Sequence, residues 1–211
     1  MISQIIKDVK KTFLGINGSH DWDHARRVFN LCTCIGKKQG ADLKVLKLAA
    51  ILHDIGRNKE DISKGRICHA KMGATMAREL LQKYKVNENL ISRVVHCIES
   101  HRFRGQQKPV SKEAKILFDA DKLDSIGAIG IGRAFWFAGQ IGAKLHNGYH
   151  VPIEKTKPYT IEDTAYREFS IKLKKIKDRM FTKEGKRLAE ERHNYMVFFF
   201  KRSQKEIRGE M

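Results

Sequence analysis

Apolar residues recur at intervals of three and four along nearly the whole 211-residue chain, and this spacing limits the fold more than any other feature. A helix with 3.6 residues per turn brings such residues onto one face, whereas a strand needs strict alternation. No segment alternates convincingly, so the sequence predicts an all-α protein. The predicted helices cover residues 2–13, 21–38, 43–56, 67–84, 88–100, 111–124, 126–141, 161–177 and 183–207.

The chain length suits one domain. We expect a single-domain helical bundle over residues 1–211, with a core at about 18–145 and C-terminal helices at about 161–207 packing on it. Asp21 or Ser19, Asp42 and Ser111 stand where N-caps are needed. Segments 57–66 and 102–110 are predicted to be loops near a functional site, and the proline-bearing segment 146–160 is predicted to be a further loop.

Composition excludes two classes of protein. Eleven phenylalanines and regularly placed leucines and isoleucines argue against a disordered chain. The longest apolar runs, Leu48–Leu52 and Val197–Phe200, are far shorter than the ~20 residues that cross a bilayer. The N-terminal segment lacks the features of a secretory signal, so we expect a cytoplasmic protein with no membrane partner. Four cysteines that form no CxxC motif fit reduced, buried thiols.

Two histidines and two aspartates, far apart in the sequence, form the strongest functional signal. His53 and Asp54 close an apolar helix that must be buried, and buried polar groups need partners. Asp121 likewise follows an apolar run, within DADKLD, and His24 lies on an upstream helix. Imidazole and carboxylate are standard ligands of Mn, Fe, Co, Ni and Zn. The pattern therefore predicts a divalent metal site.

These residues carry a resemblance to the HD-domain superfamily of metal-dependent phosphohydrolases. The chain places His24 in HDWDHARRV, the doublet His53-Asp54 in AAILHDIGR, and Asp121 in DADKLDSIGAIGIGRAF. It is most similar to a compact branch that includes nucleotide pyrophosphohydrolases. The segments CHAKMGATMARELL, IESHRFRG and FTKEGKRLAEERHNYM extend the resemblance over about residues 18–205.

The resemblance implies an all-helical bundle of the HD-domain type, one or two divalent ions, and hydrolysis of phosphate esters or anhydrides. It makes His24, His53, Asp54 and Asp121 the metal ligands. The ion is Mn, Fe, Co, Ni, Zn or Mg, with Mn favoured. His69 and His101 stand where multi-metal members carry extra histidines, and we expect them to act with Asp54 in catalysis. His20 and Asp21 are expected beside the ligands, although Asp21 serves equally well as a helix cap.

The positive charge suggests how a phosphate-rich substrate is held. The chain has 42 Lys and Arg against 24 Asp and Glu, and residues 57–112 carry 13 basic and 5 acidic residues. Guanidinium groups match phosphate oxygens in a two-pronged contact. The substrate-binding candidates are Arg57, Arg102, Arg104, Lys122 and Arg133. Asp124 is a candidate for a supporting role near the metal or for a general base.

We therefore expect a metal-dependent phosphohydrolase that acts on nucleotides. Either it converts a triphosphate to a monophosphate plus pyrophosphate, or it cleaves a phosphomonoester. The alternative is a nucleic-acid-binding protein or an HD nuclease acting on RNA or DNA, because a net charge of +18 also suits a polyanion. The sequence leaves the oligomeric state open, with a dimer as one option.

Overall fold

The predicted all-α fold is confirmed by a computed structural model that describes residues 2–13, 20–102 and 107–210. Within these ranges it contains helices and no strand. The α-helices are α1 (Ile2–Thr12), α2 (Trp22–Gln39), α3 (Leu43–Leu52), α4 (Arg57–Ile62), α5 (His69–Lys83), α6 (Glu88–Ser100), α7 (Lys112–Leu123), α8 (Gly127–Gln140), α9 (Ala165–Ile171) and α10 (Lys183–Ile207). Two 3₁₀ helices span Ile153–Lys155 and Leu173–Arg179.

The chain divides into two compact units, the first ending at Asp121 and the second beginning at Lys122. In the first unit α1, α2 and α6 pack on α3, while α5 packs on α6 and α4. Helix α3 buries residues on all sides, from Val45 through Leu52 with the exception of Lys47. A helix that is apolar all round belongs in a core. The end of α3 therefore lies inside the unit.

The predicted caps position these helices. Asp42 Oδ1 accepts hydrogen bonds from the backbone N–H groups of Lys44 (2.9 Å) and Val45 (3.3 Å), which satisfies the first turn of α3. Ser111 Oγ accepts from the N–H of Ala114 at 3.1 Å and so begins α7. Ser19 lies outside the described residues. Helix α2 ends at Gln39 and is capped by Gly40, which has φ +60°, a backbone conformation that glycine adopts at little cost.

In the second unit α8 packs on α10 and α9, and the second 3₁₀ helix packs on α9 and α10. The buried Arg167 of α9 binds the segment that precedes this helix. It donates from Nη1 to Asp163 Oδ1 and from Nε to Thr156 Oγ1, both at 2.7 Å. Each of the three guanidinium nitrogens has an acceptor, because Nη2 also donates to the Thr156 carbonyl at 3.0 Å. The network fixes the segment that precedes α9.

Three sequence predictions about secondary structure are wrong. The helix predicted at 43–56 ends at Leu52, and residues 53–56 form turns. Residues 57–66 begin with helix α4 rather than forming a loop. The α4 sequence is mostly charged and has no apolar period, and the helix packs on α5. The helix predicted at 161–177 is broken: Thr164 caps α9, and Lys172 leaves the helical conformation at φ −124° before the 3₁₀ helix. Packing of the C-terminal helices on the core stays a prediction. Across the described ranges, no helix has the length and apolar character needed to traverse a bilayer.

Candidate metal centre and its surroundings

The end of α3 delivers two polar side chains into the interior. His53 and Asp54 follow Leu52 directly, and only 0% and 2% of their surfaces are exposed. Helix α2 brings His24, which is also fully buried, to the same point. Asp21 Oδ1 accepts from the His24 backbone N–H at 2.8 Å, so Asp21 caps α2, which is one of the two roles that the sequence allowed it.

His24, His53, Asp54 and Asp121, here called the four-residue cluster, converge within the first unit. His24 Nε2 lies 3.2 Å from His53 Nε2, 3.6 Å from Asp54 Oδ2 and 3.5 Å from Asp121 Oδ1. His53 Nε2 lies 3.6 Å from Asp54 Oδ2. The four residues, which come from three separate segments of the sequence, are thus brought together.

This donor set fits a divalent ion. Ligand atoms bonded at about 2.1 Å to one ion lie roughly 3.0–3.5 Å from each other, close to the separations found here. His53 Nδ1 must donate its hydrogen to the carbonyl O of Ala50, 2.8 Å away, because a carbonyl oxygen only accepts. Its Nε2 therefore presents a lone pair to the cluster. The His and Asp side chains could hold a metal ion as they stand.

Electrostatics keep His53 and Asp54 in the protonation states that can bind a metal ion. Burial lowers the pKa of His53 to about 3, so the imidazole is neutral near pH 7 and can donate its lone pair. Burial raises the pKa of Asp54, but the surrounding histidines, first His53 and then His20, outweigh it and hold the pKa well below its usual value. His20 Nδ1 lies 2.7 Å from Asp54 Oδ2 and donates to it. Since His20, His24 and Asp54 also form a group that could hold a metal ion, the supporting role predicted for His20 stays a prediction.

A second pair of histidines faces the other oxygen of Asp54. His69 Nε2 and His101 Nε2 each lie 3.7 Å from Asp54 Oδ1, and they are 3.2 Å apart. His101 Nδ1 donates to the carbonyl O of Ile98 at 2.5 Å, and His69 Nδ1 is hydrogen-bonded to Glu60. Both imidazoles therefore direct Nε2 towards Asp54. Burial lowers the pKa of His69 to about 4.

Glu60, which no sequence prediction included, connects this histidine pair to two arginines. Its Oε2 accepts from Arg57 Nη1 at 3.2 Å and from His69, and its Oε1 accepts from Arg102 Nη2 at 2.9 Å. Burial raises the pKa of Glu60, but the hydrogen bond from His69 and the charges of His69 and the two arginines lower it overall. The available signal was the spacing of Arg57 and Glu60, three residues apart, which pairs side chains only if the segment is helical.

The other candidates are placed differently. Arg104 lies outside the described residues. Lys122, Asp124 and Arg133 belong to the second unit, where Arg133 Nη1 donates to Asp124 Oδ2 at 2.7 Å and to the Asp124 backbone carbonyl at 3.1 Å. These two hydrogen bonds hold the Arg133 side chain at Asp124, the residue that follows α7. The roles predicted for these four residues in substrate binding or catalysis stay predictions.

Comparison with known proteins identifies the family. The family model of the HD domain matches residues 21–126, a range that contains the whole four-residue cluster. The chain belongs to the HD domain family. It is therefore a metal-dependent phosphohydrolase of the HD superfamily with an all-α fold, as the sequence predicted, and its His and Asp groups could hold the divalent ion that HD domains bind.

Relatives of this HD protein span nearly its full length. It is 36% identical to YpgQ of Bacillus subtilis over 197 residues, 92% of this chain and 87% of YpgQ. The crystal structure of YpgQ in complex with ADP superposes with a TM-score of 0.74 at 32% identity and covers 97% of this chain and 94% of that one. An HD-superfamily hydrolase from Bacillus thuringiensis gives a TM-score of 0.77 at 29% identity, covering 98% and 96%.

A shorter part of the chain is similar to ribonuclease Y. The chain is 32% identical to ribonuclease Y of Alkaliphilus metalliredigens over 108 residues, which are 51% of this chain but 20% of the ribonuclease. The shared part is thus of domain size, and the rest of the ribonuclease has no counterpart in this alignment.

Proposed function

We propose that this HD protein hydrolyses nucleoside triphosphates to monophosphate and pyrophosphate with one bound divalent ion, Mn²⁺ being favoured. The observation that carries the proposal is the convergence of two imidazole nitrogens and two carboxylates beside a pair of arginines. The ADP complex of YpgQ supports a nucleotide as the substrate.

In this proposal His24, His53, Asp54 and Asp121 hold the ion. When bound, a divalent ion supplies Lewis-acid charge to the phosphoryl group under attack. The mixture of neutral imidazoles and carboxylates suits Mn²⁺, Co²⁺ and Ni²⁺ as well as Zn²⁺. Two carboxylates already balance the ion's charge, so the substrate's phosphates need further cations from the protein.

Those cations are Arg57 and Arg102, since both reach Glu60 beside the histidine pair. Their side chains are 19% and 33% exposed, so part of each side chain is open to a phosphate from outside. Arg104, Lys122 and Arg133 are proposed as additional phosphate contacts on the sequence evidence alone.

The histidine pair and Asp54 handle the water and its proton. Asp54 orients the attacking water, and His101, whose Nε2 is directed inward, receives its proton. His69 acts through Arg57, because its Nε2 accepts from Arg57 Nη2 at 3.2 Å and so orients that guanidinium. The water oxygen bonds to the α-phosphorus while the bond from that phosphorus to the bridging oxygen breaks, and pyrophosphate leaves. A phosphomonoester substrate would instead yield inorganic phosphate.

The test is a screen of Mn²⁺, Co²⁺, Ni²⁺, Mg²⁺ and Zn²⁺ against nucleoside mono-, di- and triphosphates with the products identified. In water labelled with ¹⁸O, attack on the α-phosphorus places the label in the monophosphate. Pyrophosphate release with label in the monophosphate is the expected result. Release of inorganic phosphate from monophosphates alone would show the phosphomonoesterase, and no turnover of any nucleotide would contradict the proposal.

Variants connect the activity to the cluster. Asp54→Ala and Asp121→Ala should each abolish both bound metal and hydrolysis, because each removes a carboxylate ligand. Asp23→Ala is the matched control, since Asp23 is an exposed aspartate on α2 next to His24 in sequence. Metal retained in Asp121→Ala would remove Asp121 from the ligand set.

A second candidate is an HD nuclease acting on RNA, favoured by the likeness to ribonuclease Y and the net charge of +18. Under this alternative the protein cleaves single-stranded RNA and its affinity falls steeply with salt. The same screen with a labelled RNA oligonucleotide separates the two functions. We also propose a cytoplasmic location, which agrees with four cysteines that form no disulfide.

A further inference from the structure

The carboxylate of Asp54 faces two sets of donors, one on each oxygen. Its Oδ2 lies 3.6 Å from both His24 Nε2 and His53 Nε2, and its Oδ1 lies 3.7 Å from both His69 Nε2 and His101 Nε2. A carboxylate with ligand atoms around each oxygen has the geometry to bridge two cations. The Oδ1 side, formed by Asp54, His69 and His101, is here called the second subsite.

The second subsite is rich in electron pairs. His69 and His101 hold their hydrogens on Nδ1, because these atoms face Glu60 and the carbonyl O of Ile98. Two Nε2 lone pairs 3.2 Å apart then meet the charged Oδ1 of Asp54. Such a group of acceptors, buried in the protein, requires a positive charge or a donor among them.

Arg57 supplies that charge. Its Nη2 lies 3.2 Å from His69 Nε2 and 3.4 Å from Asp54 Oδ1, so one nitrogen serves both acceptors. Its Nη1 is held at 3.2 Å by Glu60 Oε2. The backbone adds to this placement, because the Arg57 N–H donates to the Asp54 carbonyl at 2.9 Å and ties the start of α4 to the end of the metal motif.

We propose that the Arg57 guanidinium takes the place of a second divalent ion and makes this a single-metal centre. This inference rests on the proposed ligand role of the four-residue cluster. The positive charge of Arg57 at Asp54 Oδ1 repels a divalent ion from the second subsite. Its Nη2 also donates to His69 Nε2, so that lone pair is not available to an ion. Glu60 keeps the guanidinium there through Nη1. The phosphate substrate then contacts two positive charges, the exchangeable divalent ion and the permanent charge of Arg57.

The test counts metal ions instead of measuring turnover. Equilibrium dialysis of the full chain against MnCl₂, with manganese and protein measured on the same sample, should give one tightly bound ion per chain. Electron paramagnetic resonance should show isolated Mn²⁺ without the coupling of two ions that share a carboxylate. Arg57→Met removes the charge at similar length, and it should bind a second ion, or bind it at least tenfold more tightly than the wild type.

Three further variants separate charge from general disturbance. Arg57→Lys keeps a positive charge at the subsite and should remain at one ion. Arg102→Met removes the other arginine on Glu60 without vacating the space at Asp54, and it too should remain at one ion. Arg57→Met combined with His69→Ala should return to one ion, since the second subsite then loses a ligand.

Two outcomes would overturn the proposal. One is a wild-type protein that binds two tight, coupled ions with Arg57 intact, a measurement that needs no variant and holds even if Arg57→Met fails to fold. The other is a folded Arg57→Met protein that still binds one ion with an unchanged second affinity. Failure of the proposed function gives a different result. A protein that binds one ion but hydrolyses no nucleotide would contradict the proposed function and would still agree with the single-metal proposal.

Discussion

Gly56 is the position at which the end of the HD motif meets the backbone of α5. A Cβ added there would lie 2.5 Å from the carbonyl O of His69 and 2.6 Å from the backbone N of Gly73. These two atoms are four residues apart in α5, the spacing of one helical hydrogen bond. The φ of Gly56 is −86°, which any residue can adopt, so the whole cost of Gly56→Ala is steric.

The size of the clash sets the expected effect. Ordinary contacts begin near 3.4 Å, so the added carbon is short of the required distance by about 0.9 Å on the side of His69. Backbone atoms cannot swing away as a side-chain end can, and the first turn of α5 must therefore shift. Overpacking of this kind costs about 1–3 kcal/mol of unfolding free energy. His69 moves with that turn, so Nε2 leaves its place beside Asp54.

Gly73→Ala is the matched control, on the other side of the same contact. Its Cβ would meet Gly56 N and His53 O at 3.4 Å and Ile98 Cγ2 at 3.7 Å, which are ordinary distances. Alanine is also favoured over glycine within a helix by about 1 kcal/mol. Urea denaturation followed by far-ultraviolet circular dichroism should rank Gly73→Ala at or above the wild type and Gly56→Ala below it. Equal stability of Gly56→Ala and the wild type would refute the steric argument.

Three further predictions concern stability. Asp42→Ala should cost about 1 kcal/mol in urea denaturation at pH 7, because α3 loses its N-cap; the pKa of Asp42 is lowered in the fold, so the difference from the wild type should shrink as pH falls below about 4. The unfolding free energy of the metal-free protein should fall by about 2 kcal/mol between pH 6.5 and 5 through His53 alone. The pKa of His53 falls to about 3 on folding, so only the unfolded chain binds a proton there and stability decreases as pH falls. A flat pH dependence over this window would contradict it. Arg167→Met should cost about 3–5 kcal/mol in urea denaturation, because the buried Asp163 carboxylate loses its cation and keeps only the hydrogen bond from the Tyr159 backbone N–H. Arg167→Met with Asp163→Leu should recover much of that loss.

The sequence predicts the helices well where an apolar stripe and a cap agree. The cap at Asp42 and the apolar run that follows it predict the start and body of α3, since both signals depend on neighbours a few residues away, but the predicted end at 56 is four residues too late. The same signals fail at 57–62, where a charged segment has no apolar period, and at 161–177, where Thr164 caps a later start. At 57–62 the contacts of α4 with α5 decide the local conformation, whereas at 161–177 the Thr164 cap is a local signal that the prediction overlooked.

The metal candidates could be named from the sequence because buried polar residues at the ends of apolar helices need a common partner. What the sequence determined was therefore the inventory: two imidazoles, two carboxylates and a family pattern. The tertiary structure decided the pairing. Only folding shows that Glu60 is buried, that it holds His69 and two arginines, and that Arg57 lies at Asp54 Oδ1. These contacts join residues on α4, α5 and the segment after α6. The direction in which a side chain points between such elements depends on their tertiary packing, which the spacing of residues in the sequence does not indicate.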